Sequence, residues 1–355
     1  MLFDNLLGQE VAKRAIQRAW MEGRLAGSYL FYGPEGVGKE AAAMELAQAL
    51  NCREPDPPCR SCAHCRRIAN YQHPDFFYLM PVPHSESESE RRKIAEEVAE
   101  QLKEKSEHPY RRPFFDRPTA IAIDDIRSLK QGLMLQPYEG GRKAVVMSQA
   151  EKMTEEAANA FLKILEEPSP STVFILISSR PHALLPTIAS RCQKVRFDLL
   201  PPQLIEDYLR QRRGLPEVEA KLMADLSAGS LGRALSMMDE GFWEERDLAW
   251  EILEKAAAGD YLAVLTAVAQ AAAERGRPER IVNLIQEIGA DMLHLRYGQR
   301  IVNADRSQRL RALERRFPEG NLAGLIKRLE EAKGALRQNV TPKLCLLAAV
   351  LGDQA

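Results

Sequence analysis

Residues 33–40 read Gly-Pro-Glu-Gly-Val-Gly-Lys-Glu, and this segment alone narrows the architecture to a few designs. It follows the apolar run Ser28–Tyr32, precedes the helical pattern AAAMELAQAL, and fits G-x-x-x-x-G-K in the strand–loop–helix setting the motif requires. Gly33, Gly36 and Gly38 let the backbone curl so that its N–H groups converge on phosphate oxygens at a helix N-terminus, and Lys39 adds a point charge. These four are the candidate nucleotide-binding residues. A loop of this kind belongs to an α/β domain with a parallel sheet. Suitable strands are Ser28–Tyr32, Phe76–Met80, Ala144–Met147, Thr172–Ile177 and Lys194–Phe197, several continuously apolar as strands buried on both faces tend to be.

The residues that should complete an ATPase site are of the wrong type. A working loop follows its lysine with a Ser or Thr whose hydroxyl holds Mg²⁺; here the position is Glu40. Direct Mg²⁺ coordination by Glu40 and repulsion of the nucleotide are both open. An acidic pair should end a later apolar strand, but Lys143–Met147 is followed by Ser148-Gln149. The rival pair Asp124-Asp125 reads better as the N-cap and first turn of a helix beginning at Ile126. The pattern is that of a retired phosphate site.

Cys52, Cys59, Cys62 and Cys65 give C-x₆-C-x₂-C-x₂-C. Four clustered thiolates suit a tetrahedral structural zinc with no position left for water. An iron–sulfur cluster and free thiols are the alternatives, and His64 could replace one thiol. Cys192 and Cys345 read as small buried hydrophobes. The charged stretch 84–118 reads as a solvated insertion, with a partner-binding lid as the alternative; Ile94, Val98 and Leu102 allow one thin amphipathic helix within it. Beyond Leu200-Pro-Pro202 only helical periodicity remains. Thr341 and Pro342 suit the N-cap and first position of a late helix. The expected division is an α/β domain at 1–200, a helical lid at 201–240 and a helical collar at 241–355.

The 355 residues carry 49 basic and 50 acidic side chains, a net charge of −1, which excludes a protein that coats nucleic acid through its own field. Aromatics at 6% exclude a broad base-stacking platform. No secretory signal or bilayer-length apolar run is evident, and a cytoplasmic location is expected.

The order of motifs resembles the AAA+ subunits of the bacterial DNA polymerase III clamp loader. It runs Leu6-Leu-Gly-Gln-Glu10, the phosphate loop, the cysteines, Asn159-Ala-Phe-Leu-Lys-Ile-Leu-Glu-Glu-Pro168 and Pro186-Thr-Ile-Ala-Ser-Arg-Cys192. The likeness is strong over 1–240 and weak over the collar, where Asn339-Val-Thr-Pro-Lys carries it. The resemblance implies an α/β AAA+ P-loop domain, a small helical lid and an all-α C-terminal collar. Lacking the Ser/Thr and the Asp-Glu pair of the hydrolysing gamma/tau members, the chain resembles the delta-prime branch, whose fold is kept without driving hydrolysis. Gly232 stands where the motor subunits carry a sensing arginine, with Arg233 displaced by one. The branch implies that Arg191 acts in trans as an arginine finger on the neighbouring motor subunit. It also implies gamma/tau and delta as partners in a hetero-pentamer that engages the sliding clamp and primer-template DNA. An active gamma/tau-type ATPase with atypical metal ligands is the alternative. The 159–168 helix reads mainly as interface scaffold.

Overall fold

In the computed structural model the described residues are all except Met1, Arg111, Arg112, Phe114, Asp116, Gly140, Arg275, Pro318, Gln338, Asn339 and 353–355, and except the side chains of Glu240, Glu319 and Arg337. Asn339 of the collar motif and four positions of the 84–118 insertion thus lie outside them. The chain divides into two compact units, one of residues 1–208 with 229–233 and one of 209–228 with 234–355.

Up to residue 200 helices and strands alternate: α1 (Glu10–Met21), β1 (Ser28–Tyr32), α2 (Lys39–Asn51), α3 (Ala63–Ala69), β2 (Phe76–Leu79), α4 (Glu88–Glu107), α5 (Ile123–Met134), β3 (Lys143–Met147), α6 (Glu155–Glu166), β4 (Thr172–Ser178), α7 (Pro186–Ser190) and β5 (Gln193–Arg196). Each apolar run singled out in the sequence is a strand, within a residue at either end. The sheet order is β2-β3-β4-β1-β5 and every neighbouring pair is parallel, with Leu30 opposite Leu176 and Val145 opposite Phe174. Every residue of β3 and β4 is buried, which explains their unbroken apolar character.

Side chains alternate across the sheet. Leu30, Val145 and Phe174 pack with Leu129, Phe161 and Ile188 on one face. Phe31, Val146 and Ile175 pack with Ile16 and Leu46 on the other. One expectation is corrected in detail: α5 starts at Ile123, with Ala122 as N-cap, so Asp124 and Asp125 both lie in the first turn. Asp125 Oδ2 accepts from the Ala122 amide at 2.7 Å and holds the helix start there.

After β5 only helices follow among the described residues: α8 (Pro202–Arg213), α9 (Glu217–Leu226), α10 (Leu231–Ser236), α11 (Glu240–Ala257), α12 (Tyr261–Ala271), α13 (Arg277–Arg296), α14 (Ser307–Glu314), α15 (Glu319–Arg337) and α16 (Pro342–Leu351). The second unit has its own core, built around Trp250, Ile281, Ile285, Leu325 and Leu346. Buried Arg246 is neutralised there by Asp305 through two bonds of 2.8 and 2.7 Å, and Asn303 Oδ1 also accepts from it. Thr341 and Pro342 open α16 as the sequence suggests, although the Thr341 side chain makes no capping bond. Among the described residues no helix is long and apolar enough to cross a membrane.

Candidate functional site

The phosphate loop joins the end of β1 to α2, between the flanking strands β4 and β5. The backbone needs glycine at two places for separate reasons. Gly33 has φ 143° and a Cβ there would stand 2.0 Å from the Phe197 carbonyl oxygen. Gly36 has φ 73°, and its carbonyl accepts from the Gly232 amide at 2.9 Å. That contact is so close that a Cβ on Gly232 would lie 2.9 Å from Gly36 Cα. Glycine at 232 is therefore required by the closed loop. Ser230 Oγ donates to Glu35 O at 2.9 Å and Gln9 Nε2 donates to Val37 O at 3.1 Å. Gln9 also exchanges two bonds with the Asp198 backbone, so one amide ties the loop to the end of β5.

Lys39 is turned back onto its own loop. Its ammonium donates to Gly33 O at 2.7 Å and to Pro34 O, and lies 3.5 Å from Ser179 Oγ. It is only 5% exposed, and burial lowers it to about 8 despite Glu35, Glu151 and Glu40 nearby. Glu40 accepts a hydrogen bond from the Tyr78 hydroxyl and pairs with Lys105 of α4 at 3.2 Å. The Ser148 side chain lies near the same hydroxyl. The Glu40 carboxylate, at the position that would help to hold Mg²⁺, is thus engaged by a tyrosine hydroxyl and a lysine. Gln149 is in the left-handed region at φ 50°, and two residues on Glu151 Oε1 accepts from the Ser179 amide at 3.4 Å. The insertion is not merely a solvated surface: α4 buries Ile94 and Lys105.

The four sulfurs of Cys52, Cys59, Cys62 and Cys65 lie within 4.8 Å of one another, and all six cysteines are free of disulfides. Cys52–Cys62 and Cys59–Cys65 are separated by 4.0 and 3.9 Å. A tetrahedral shell with metal–sulfur bonds of ~2.3 Å places sulfurs about 3.8 Å apart, so the donor set fits. Amides of Cys59, Cys62 and Cys65 point at the sulfurs of Cys52, Cys59 and Cys62. The Cys62 and Ser61 amides push the Cys59 thiol down to about 6, whereas burial pushes Cys52 and Cys65 up. The cluster could hold a metal ion.

His64 points away from these thiols. Its Nδ1 lies 2.9 Å from Glu139 Oε2 and 3.1 Å from His73 Nε2. The Asp75 amide donates to His73 Nδ1 at 3.1 Å, leaving the neutral ring's proton on Nε2, the nitrogen that faces Glu139. Arg67 binds both Glu139 oxygens, at 2.7 and 2.5 Å, and holds that carboxyl below its usual range. This is a polar clasp between the cysteine module and the segment before β3. A second tie is Arg60 to Glu45 of α2, at 2.9 Å.

Arg191 caps the end of α7, well separated in sequence from the loop glycines. It donates to Thr187 O at 3.0 Å and pairs with Glu166, the last residue of α6, at 2.8 Å. Its side chain is 37% exposed. On α6, Thr154 is the N-cap, Ala157, Ala158, Phe161 and Leu165 are buried, and Asn159 and Lys163 face outward. Cys192 and Cys345 are buried as expected. Sequence reasoning missed Tyr78, Lys105, Gln9 and Ser230 as partners of the phosphate loop; only Gln9, within the quoted Leu6–Glu10 motif, carried any signal.

A parallel sheet in this order, a phosphate loop after β1 flanked by β4 and β5, and helices thereafter define an AAA+ P-loop protein with its metal-ligand positions replaced. A family model described as "DNA polymerase III, delta subunit" matches residues 8–201, and the chain belongs to that family. It is 34% identical to a DNA polymerase III subunit delta' of Pseudomonas aeruginosa over 235 residues, 65% of this chain and 61% of that one. It is 28% identical to the subunit delta' of Bacillus subtilis over 323 residues, 89% of this chain and 87% of the relative. The subunit tau of Bacillus subtilis is 26% identical over 245 residues, 67% of this chain and 37% of that protein. The match thus spans under two thirds of the Pseudomonas and tau relatives' own lengths.

Proposed function

We propose that the chain is a non-hydrolysing AAA+ subunit of the DNA polymerase III clamp loader, assembled with gamma/tau and delta and working with them to place the sliding clamp on primed DNA. One observation carries the reading: Lys39 is bound to the carbonyls of Gly33 and Pro34 while Glu40 is engaged by Lys105 and Tyr78. A loop arranged in this way presents its lysine inward and has the carboxylate at the metal-ligand position already engaged. Arg191 is the group this chain offers to a neighbour's ATP, because guanidinium binds phosphate in a bidentate way and stays charged at every accessible pH. Gly33, Gly36, Gly38 and Lys39 keep the loop's shape rather than a nucleotide. Cys52, Cys59, Cys62 and Cys65 take one structural zinc, which stiffens the excursion between α2 and β2. Residues 201–240 serve as lid and 241–355 as the collar through which the ring is assembled, in the cytoplasm.

The test mixes the full chain with the motor and delta subunits and the clamp, and follows assembly and clamp loading with and without it. Loading should require the chain, while the chain alone should turn over no ATP. Hydrolysis by the isolated chain that Lys39→Ala abolishes would favour an active gamma/tau-type ATPase instead.

A further inference from the structure

In a metal-dependent phosphate loop the residue after the lysine and the acid ending the third strand meet through one Mg²⁺. Here those positions are Glu40 and Ser148, and the Tyr78 hydroxyl donates to Glu40 with Ser148 close by. The positive charge at Glu40 comes from Lys105, carried by α4, whose ammonium stands 3.2 Å from Oε2 and whose side chain is 3% exposed. Tyr110, just past the same helix, closes over the loop: a Cβ placed on Gly38 would lie 3.7 Å from its hydroxyl. A lysine is rarely so buried without a role, because removing its charge from water is costly unless a carboxylate faces it.

We propose that the inserted helix α4 is a built-in latch on the degenerate phosphate loop, with Lys105 and the Tyr78 hydroxyl holding Glu40, the residue after the loop lysine, where a metal ion would otherwise be met. The helix α4 is then a cis-acting occupant of the nucleotide site rather than a surface decoration. The latch exists in the subunit by itself and does not depend on Arg191 or on ring assembly. Two consequences separate it from simple loss of metal ligands. Opening of α4 and of the loop must be coupled, and restoring the missing ligand types must fail while Lys105 remains, since its charge repels Mg²⁺ at close range.

The full-length chain is the test object. Hydrogen exchange is followed over residues 98–107 and 33–40 in wild type, E40Q, K105M and E40Q/K105M, with circular dichroism confirming that each is folded. Each single variant should speed exchange at least tenfold in both segments, and the double variant should be no faster than the faster single. Unchanged exchange in K105M, or additive effects in the double variant, would overturn the latch. Binding of Mg²⁺ with a fluorescent ATP analogue is then compared in E40T/S148D and E40T/S148D/K105M. The added K105M should tighten Mg²⁺-dependent binding at least tenfold. Equal affinity in the two, or wild-type binding of the analogue with α4 still fully protected, would refute the proposal.

Discussion

Replacing Arg191 by alanine separates the part this residue plays within its own chain from the part assigned to it in the ring. Within the chain it makes one ion pair with Glu166, whose side chain is 51% exposed, and one bond to Thr187 O. Exposed pairs of this kind contribute roughly 0.2–1 kcal/mol, so Arg191→Ala should lower stability by less than about 1 kcal/mol and leave the fold and assembly intact. A guanidinium that reaches a γ-phosphate accelerates its hydrolysis by ~10³–10⁵-fold. At about 1.36 kcal/mol per tenfold, that is about 4–7 kcal/mol of transition-state stabilisation. The Glu166 pair is therefore weak enough to be given up when Arg191 extends toward a neighbour, with most of the gain remaining. The assay is DNA-stimulated ATP turnover of the assembled loader, with size-exclusion chromatography to show that the variant assembles. Turnover at the one site that Arg191 serves should collapse, and clamp loading should slow with it. An assembled variant with unchanged turnover and loading would refute the arginine-finger assignment, whatever the state of the phosphate loop.

Metal analysis of the purified chain should give one zinc per chain, and Cys59→Ser should lose it and melt at lower temperature; iron, or no metal in the wild type, would count against the site. Lys39 is held at about 8 by burial. Between pH 8 and 10 the unfolded chain therefore binds more protons than the folded one, and this group's contribution to stability rises with pH, by at most about 3 kcal/mol in all. Urea titrations at pH 8 and pH 10 should show that rise in wild type and not in Lys39→Met, the difference between the two being the readout. Gly232→Arg should destabilise the first unit by more than 1 kcal/mol, because its Cβ meets Gly36 Cα at 2.9 Å. A neutral effect on the urea midpoint would show that the loop yields freely.

The centre of the sheet was legible because its strands are buried on both faces and bounded by turn residues, as Thr172–Ser178 illustrates. The loop and the cysteines were legible because their chemistry needs close spacing in sequence. What escaped was long-range polar contact. Lys105 sits on a helix with mostly exposed neighbours, and nothing in its local sequence distinguishes it from a solvated lysine until Glu40, sixty-odd positions earlier, is placed beside it. His64 looked like a spare ligand because it falls between two thiols; on α3 it turns toward Glu139. Asp124 and Asp125 were read as the N-cap and first turn of a helix beginning at Ile126, but the helix starts three residues earlier, where the Ala122 amide finds the Asp125 carboxylate.

The contacts around residues 36, 40, 148 and 232 also bear on how reversible the loss of a nucleotide site can be. A threonine at 40 would remove the carboxylate that faces a buried ammonium. An aspartate at 148 would meet a tyrosine hydroxyl already committed to Glu40, and a side chain at 232 would strike the backbone of Gly36. Each step back toward an ATPase is opposed by a neighbour that has adjusted to the change already made. On the proposed non-hydrolysing reading the path is ratcheted: several positions would have to change together before any one of them improved phosphate binding.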